Sequence, residues 1–566
     1  MKSNKFLSKR EDYKYQHIYD IFVNYFKFNE SKYSDIMKDI IKVLIEFEKK
    51  GETVIDVDKV EIDFELFSDG WPDKHIKGLS DCGMSTLNNS PVVIRGREIS
   101  WSKWRCKLDR ITNLLLNKIR IQNDTYEQSK YIKNSNNVDL IKYLFSYSDL
   151  VLLQGGPGTG KTTLVIDFIY SFLKTESNLN IGLSAPTGKA TARIKESLNY
   201  KLVESDINLA TIECQTLHSW IYKSVFLGKS KLALKDLDLL VIDECSMLSI
   251  DILEEVLEII NNDCKILLVG DAKQLPPINN CSIWNNIFEN MKKSNFKFCT
   301  VNLNKIYRNS GDIQKLSSLI FNNDESLFGK KANQIIKSTK ISNVSIDIKN
   351  TKSLPNKLQE TVISHINKLK NKTYKLSSKN YIFDKKIDNL INYEKDLVLD
   401  IFDTLNSQLI LCARNTGTWG VEDINSIIIK DNDPYDFNSL EEGIPIMCTE
   451  NNNEIGISNG DIGVLIGSNK TRRFLFRKFN KENELIFSLI EPYKLEKIVP
   501  AVALTIHKSQ GSESEKVIIL WNQDRKIKKQ KDSFGDFNFF RDNYEKRLFY
   551  TGITRAKTNL DIYYLD

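Results

Sequence analysis

The chain has 566 residues, 41% of them hydrophobic, enough for several cores and for ~three to four domains. Its 80 basic and 74 acidic residues leave a net charge of only +6, so a polyanionic partner would have to bind in a local groove and not over a uniformly basic surface. Nine singly scattered cysteines without a C-x-x-C pair exclude a zinc ribbon or disulfide framework, and the lack of a signal-peptide core or any run of ~18 apolar residues predicts a cytoplasmic protein with no membrane partner.

In chain order, residues 1–130 carry amphipathic helical patterns at 19–28, 33–49 and 107–118, with Trp71, Trp101 and Trp104 among them and no phosphate-binding signal. They predict an α-helical N-terminal domain. Over 131–300, strands at 151–154, 181–185, 239–243 and 265–270 alternate with helices, the rhythm of a parallel sheet covered on both faces. The polar stretch 329–390 reads as an inserted or mobile segment. A second α/β unit spans 301–439 and 499–566, with strands at 408–412, 502–506 and 517–520. Between its halves, 440–498 shows short strand patterns with turn signals at 459–461 and 469–470, which predict a small β-barrel. The basic run 524–532 reads as a solvated loop.

The chemistry begins at residues 155–163, GGPGTGKTT, which fit G-x-x-x-x-G-K-[ST] between an apolar run and a helical pattern. Gly155, Gly156, Pro157, Gly158, Thr159 and Gly160 let the backbone curl so that its N–H groups face phosphate oxygens at a helix N-terminus. Lys161 can neutralise the β- and γ-phosphates, the Thr162 hydroxyl can enter a Mg²⁺ shell, and Thr163 closes the motif. Downstream, the apolar strand LDLLVIDE ends in two carboxylates: Asp243 to hold Mg²⁺ and Glu244 to polarise the attacking water. In order and on strand ends, the two motifs point to binding and hydrolysis of ATP. The string GDAKQLPP at 270 adds Gln274, an amide able to touch both water and γ-phosphate.

Together with APTGKATARI at 185, TLHSW at 216, LNKIYRNSGDI at 303, NGDIG at 459, ALTIHKSQGSESEKVII at 503 and FYTGITRAK at 549, these strings resemble the superfamily 1 helicases, and within them the RecD branch, over residues 150–566. The resemblance implies two tandem RecA-like P-loop domains, the helical N-terminal domain and an SH3-like barrel insertion. It implies that Arg308 and Arg555 meet the charge developing on the γ-phosphoryl group, with Gly511 and Glu513 sensing nucleotide. It also implies that Thr187, Lys189, His218, Thr505, His507 and Lys508 contact DNA. Cys245 and Gly552 depart from the pattern without removing a catalytic group, and Gln128 is the candidate adenine contact. The implied activity is an ATP-dependent 5′–3′ DNA helicase subunit beside RecB-like and RecC-like partners, acting on single-stranded DNA and double-strand ends in repair. The chain carries no nuclease-type carboxylate cluster. A stand-alone RecD-like helicase is the alternative, and an ATP-dependent binding switch without unwinding a further one; the N-terminal 130 residues lack the paired G-x-G turns of the stand-alone form.

Overall fold

The computed structural model describes residues 30–58, 70–81, 90–119, 136–277, 295–321, 344–349, 353–429, 437–522 and 543–565, with Trp284 and Ile287. Residues 177–178, 203–211, 228–231, 306, 308–310, 385–386, 388, 438–439, 453, 469–470 and 480–484 are excepted. Thus the helical pattern at 19–28, the turn at 469–470 and the basic run 524–532 lie outside the described residues.

The N-terminal unit is not purely helical. Helix α1 (Glu30–Lys49), strand β1 (Val54–Asp56), helix α2 (Asp73–Asp81) and strands β2 (Val92–Arg95) and β3 (Glu98–Trp101) bury a shared core of Ile40, Ile41, Leu44, Ile55, Leu79 and Val92. The three strands form an antiparallel sheet in the order β1-β3-β2. Strands of three or four residues are too short to show an alternation in sequence, so the expectation of helix alone missed them. Helix α3 (Ser102–Asn117) leaves this unit: Trp104, Leu108, Ile111 and Leu115 recur at helical spacing and enter the core of the next sheet.

That sheet is built from α4 (Asn137–Tyr147), β4 (Leu150–Gly155), α5 (Lys161–Leu173), β5 (Ile181–Ala185), α6 (Gly188–Leu202), β6 (Ile212–Thr216), α7 (Leu217–Tyr222), β7 (Leu239–Ile242), α8 (Ile250–Ile259), β8 (Lys265–Gly270) and β9 (Thr300–Leu303). All six strands are parallel, in the order β6-β5-β7-β8-β4-β9. Alternation along each strand feeds two cores. Val151, Leu153, Val241 and Val269 pack with residues of α4, α5 and α6, while Leu152, Leu240, Ile242 and Leu268 pack with α3, α7 and α8. Two boundaries are corrected by this: α3 belongs with the first sheet's core, and β9, assigned by sequence to the second unit, is the first sheet's edge.

The second sheet draws on α9 (Gly311–Leu319), β10 (Val344–Lys349), α10 (Asn356–Ser377), α11 (Ile391–Ser407), β11 (Gln408–Cys412) and α12 (Val421–Ile429). The chain then forms β12 (Pro445–Cys448), β13 (Ile462–Ile466), β14 (Arg473–Phe479), β15 (Leu485–Ile490) and β16 (Ile498–Pro500). It returns through β17 (Leu504–Thr505), β18 (Ser514–Asn522), α13 (Asn543–Ile553) and β19 (Ala556–Leu565). The parallel order is β10-β19-β18-β11-β17. Only Leu504 and Thr505 of the strand expected at 502–506 are in the sheet. Over the stretch where the sequence predicts a small β-barrel, β12 to β16 form five antiparallel strands in the order β15-β14-β13-β12-β16, the last strand lying beside the first. The polar stretch 329–390 is corrected most. Its α10 buries Leu358, Val362, Ile366, Leu369, Thr373 and Leu376 in the core shared by the second sheet and the insertion. The molecule therefore has two RecA-like α/β domains, and both contribute to the cleft described next.

Candidate active site

β4 ends at Gly155, and the turn into α5 is made by Gly158 and Gly160 at φ +73° and +78°, where a side chain is strained. Thr159 Oγ1 donates to Gly156 O at 2.7 Å, and Lys161 Nζ donates to Gly155 O at 2.7 Å and Gly156 O at 3.1 Å. A side chain on Gly155 would strike Thr159 and Leu303. Pro157 lies in the loop and Thr163 in the first turn of α5.

Because β8 lies between β7 and β4, the carboxylates that follow β7 and β8 converge on this loop. Thr162 Oγ1 donates to Asp243 Oδ2 at 3.1 Å. Burial, and then the adjacent Glu244 charge, push Asp243 up to about 6, against the pull of Lys161 and Thr162. A buried carboxylate under that pressure, joined to a hydroxyl, is a donor set that fits a hard divalent cation. Glu244 holds a left-handed backbone at φ 54°, ψ 39°, a conformation that costs a non-glycine residue ~1–3 kcal/mol and collects at functional sites.

The second domain closes over the same place. Asp271, only 1% exposed, accepts a hydrogen bond from Tyr550 Oη of α13 at 3.0 Å and another from Lys273 N at 3.0 Å. Burial raises Asp271, and burial and the Asp271 charge raise the Tyr550 phenol far above its usual range, so tyrosine keeps the proton and donates. Gln274 is buried beside Leu275, whose N–H donates to Thr551 Oγ1 at 3.1 Å and whose carbonyl accepts from Gln510 Nε2 at 3.4 Å. Arg555 is 3% exposed; its Nε donates to Thr551 O at 3.0 Å and its Nη1 to Ser512 O at 3.5 Å. Arg308 and Gln128 lie outside the described residues.

The residues expected on DNA lie on both domains. Thr187 caps α6, accepting from Ala190 N at 3.2 Å, and His218 is exposed on α7. Thr505 and the exposed Lys508 line a cavity of ≈ 310 Å³ with Asn415, Glu422 and Asn425. Lys189 Nζ donates to Ser512 Oγ at 2.6 Å, across the domain interface, where burial lowers it to about 8. His507 Nε2 bonds Tyr544 Oη at 2.7 Å, and burial lowers it to about 4. Gly511 and Glu513, expected to sense nucleotide, meet Arg193: Nη1 donates to Gly511 O at 2.9 Å and Nη2 to Glu513 Oε2 at 3.1 Å.

Residues 143–280 match the model of an AAA domain, and 467–566 that of the UvrD-like helicase C-terminal domain. RecBCD enzyme subunit RecD of Buchnera aphidicola subsp. Schizaphis graminum is 27% identical, with 85% of this chain and 82% of that protein covered. The subunit of the same name from Buchnera aphidicola subsp. Acyrthosiphon pisum is 29% identical over 87% and 83%. The chain is thus RecD-like over most of its length, with a UvrD-like helicase domain at its C-terminal end. Among solved structures, Bacteroides Pif1 helicase in complex with ADP-AlF3 and single-stranded DNA superposes at a TM-score of 0.37, 17% identical, covering 75% of this chain and 92% of that one. The strand order, and not this loose superposition, carries the fold.

Several residues that complete this RecD-like site escaped the motif reading. Tyr550 adjoins the TGITRAK string, but nothing in sequence pairs it with Asp271. Tyr307 was visible as the aromatic beside Arg308. Its N–H donates to Gly158 O at 2.8 Å, and its ring, 69% exposed, lies against Gly160. Arg193 sits one helical turn beyond Lys189 in APTGKATARI, and that spacing was its signal. Among the described residues no helix is long and apolar enough to cross a membrane.

Proposed function

We propose that this chain is the ATP-driven motor subunit of a RecBCD-type exonuclease V complex, moving 5′ to 3′ on single-stranded DNA in the cytoplasm and opening double-strand ends for repair beside RecB-like and RecC-like subunits. The observation that carries the reading is the closure of α13 over the nucleotide loop: Tyr550 on Asp271, with Arg555 held rigidly at the same helix end. ATP phosphates are to lie on the backbone N–H groups of 156–162 and on Lys161, with the exposed Tyr307 ring as a platform for the base. Thr162 and Asp243 are to hold Mg²⁺, which neutralises charge on the phosphates when bound. Glu244 orients water, Gln274 relays the state of the γ-phosphate to Leu275 and so to the second domain, and Arg555 meets charge that builds in the transition state. Direction of travel and partner subunits come from the RecD likeness. The 25–29% identity to RecD proteins over most of the chain supports them.

The test is Lys161→Ala. Its charge lies against backbone carbonyls of the loop and supports no core, so the variant should keep the wild-type melting temperature and lose DNA-stimulated ATP hydrolysis. Retention of more than about a tenth of wild-type turnover, a barrier change of only ~1.4 kcal/mol, would defeat the assignment.

A further inference from the structure

We infer that Arg193 is a positioning residue that fixes Arg555 through the 511–513 segment, and that it links the DNA-facing start of α6 to hydrolysis. The inference rests on the ATPase reading of Arg555.

On α6, Lys189, Arg193 and Glu196 fall at i, i+4 and i+7 and so form one face. All three reach out of the first domain. Lys189 takes Ser512 Oγ, Arg193 takes Gly511 O and Glu513 Oε2 together, and Glu196 pairs with Arg477 of β14 in the antiparallel insertion. Gly188, at the head of the same helix, is packed so closely on Ser458 that any side chain there would collide with it. The 511–513 segment is thus held on three successive residues by one helix of the other domain.

What that segment does is visible on its far side. The Ser512 carbonyl accepts from Arg555 Nη1, and Ser514 N donates to Arg555 O at 3.0 Å. A guanidinium is a rigid fork, so where it points is set by its acceptors. Arg555 has two described here, Thr551 O on its own helix and Ser512 O. The first fixes it within the second domain; the second is steered by Lys189 and Arg193 of the first. Gly511 stands at φ +74°, a backbone conformation that favours glycine, and the buried segment is tied to its own domain by Ser512 N donating to Ser509 O at 2.8 Å and to the first domain by these polar bonds. A strand whose phosphates lie at the start of α6 therefore acts on the same helix that holds the 511–513 segment, so DNA engagement and the aim of Arg555 are joined within one bonded unit.

The experiment measures kcat and KM for ATP, with and without an oligothymidylate, for wild type, Arg193→Gln, Glu513→Gln and the double variant. Arg193 is 40% exposed at its side chain, so its loss leaves the cores intact. We expect Arg193→Gln to lower DNA-stimulated kcat by about tenfold with KM for ATP within about twofold of wild type. We expect the double variant to lose no more than the worse single one, because the two residues act as one bridge. Wild-type kcat and stimulation in Arg193→Gln, a parallel rise in KM, or losses that multiply in the double variant would overturn the inference. Absence of any DNA-stimulated ATPase in the wild type would instead overturn the function on which it rests.

Discussion

Arg555 has no freedom to wander: buried, and bonded through two of its nitrogens to carbonyls, it presents its remaining N–H groups in a fixed direction. A charge held this way contributes little to binding ATP in the ground state and much to the state in which charge has moved onto the γ-phosphoryl oxygens. Arg555→Ala should therefore lower kcat by ~10²–10³-fold while nucleotide affinity, read by a fluorescent ADP analogue, changes by less than about threefold. Normal turnover in that variant would leave Arg555 a structural residue. Histidines give a second measurement at this scale. An unfolded histidine titrates near 6.5, whereas burial keeps His507, and burial with Lys368 keeps His365, neutral in the fold down to about 4. Between those values the unfolded chain binds protons that the folded chain does not, so stability falls as pH drops from 6.5 toward 4, by at most ~1.4 kcal/mol per pH unit for each histidine. Replacing both with Gln should flatten the urea midpoint against pH in that window; an unchanged slope would mean that carboxylates alone govern it.

Among the elements, α10 has the largest consequence for an apparently featureless stretch. Its Leu369 is fully buried, and the backbone of Leu369 and Lys370 presses on Gly443 at the entry to the antiparallel insertion. Leu369→Ala should cost ~2–5 kcal/mol, measured by chemical denaturation, whereas a mobile insertion would tolerate it with less than about 0.5 kcal/mol. The sequence concealed this helix because polar residues fill the turns between its buried ones, lysines and asparagines above all after Ile366, so the average polarity masks a regular 3–4 spacing. Strands of the first sheet were readable for the opposite reason. Covered on both faces, 150–153, 239–242 and 265–270 are nearly unbroken apolar runs bounded by motif residues. The nucleotide loop was legible down to single residues because phosphate chemistry restricts each position to Gly, Lys or a hydroxyl. What the sequence hid were contacts between distant segments, such as Tyr550 on Asp271 and Arg193 on Glu513, where each partner is an ordinary polar residue in its own neighbourhood.

At the scale of the whole molecule, the N-terminal tryptophans change meaning. Tryptophan is a residue type that anchors interfaces, yet all three pack inward. Trp104 is 7% exposed, packs into the first sheet's core and donates from Nε1 to Glu48 at 3.0 Å; Trp71 and Trp101 pack on the N-terminal core. Deleting 1–130 would remove α3 with its four core residues and uncover the first sheet's core, so the melting temperature of the remaining motor should fall. Deleting only 1–100 spares α3 and should retain most of the DNA-stimulated ATPase. Equal stability of the two truncations would show that α3 is dispensable.

The strand order of the second sheet also sets a timetable for synthesis. β10 pairs only with β19 among the described strands, with Ser345 opposite Asp561, 216 residues further on, and β11 waits for β17 and β18 until the whole antiparallel insertion has been made. The first sheet is complete once Leu303 has left the ribosome, while the second holds two unpaired parallel strand edges until β19 arrives. Such edges are templates for aggregation, and pairing across so long a loop is slow. The same few residues that follow Arg555 thus close the sheet and bring the arginine into place, so the sheet and the arginine's position are completed together.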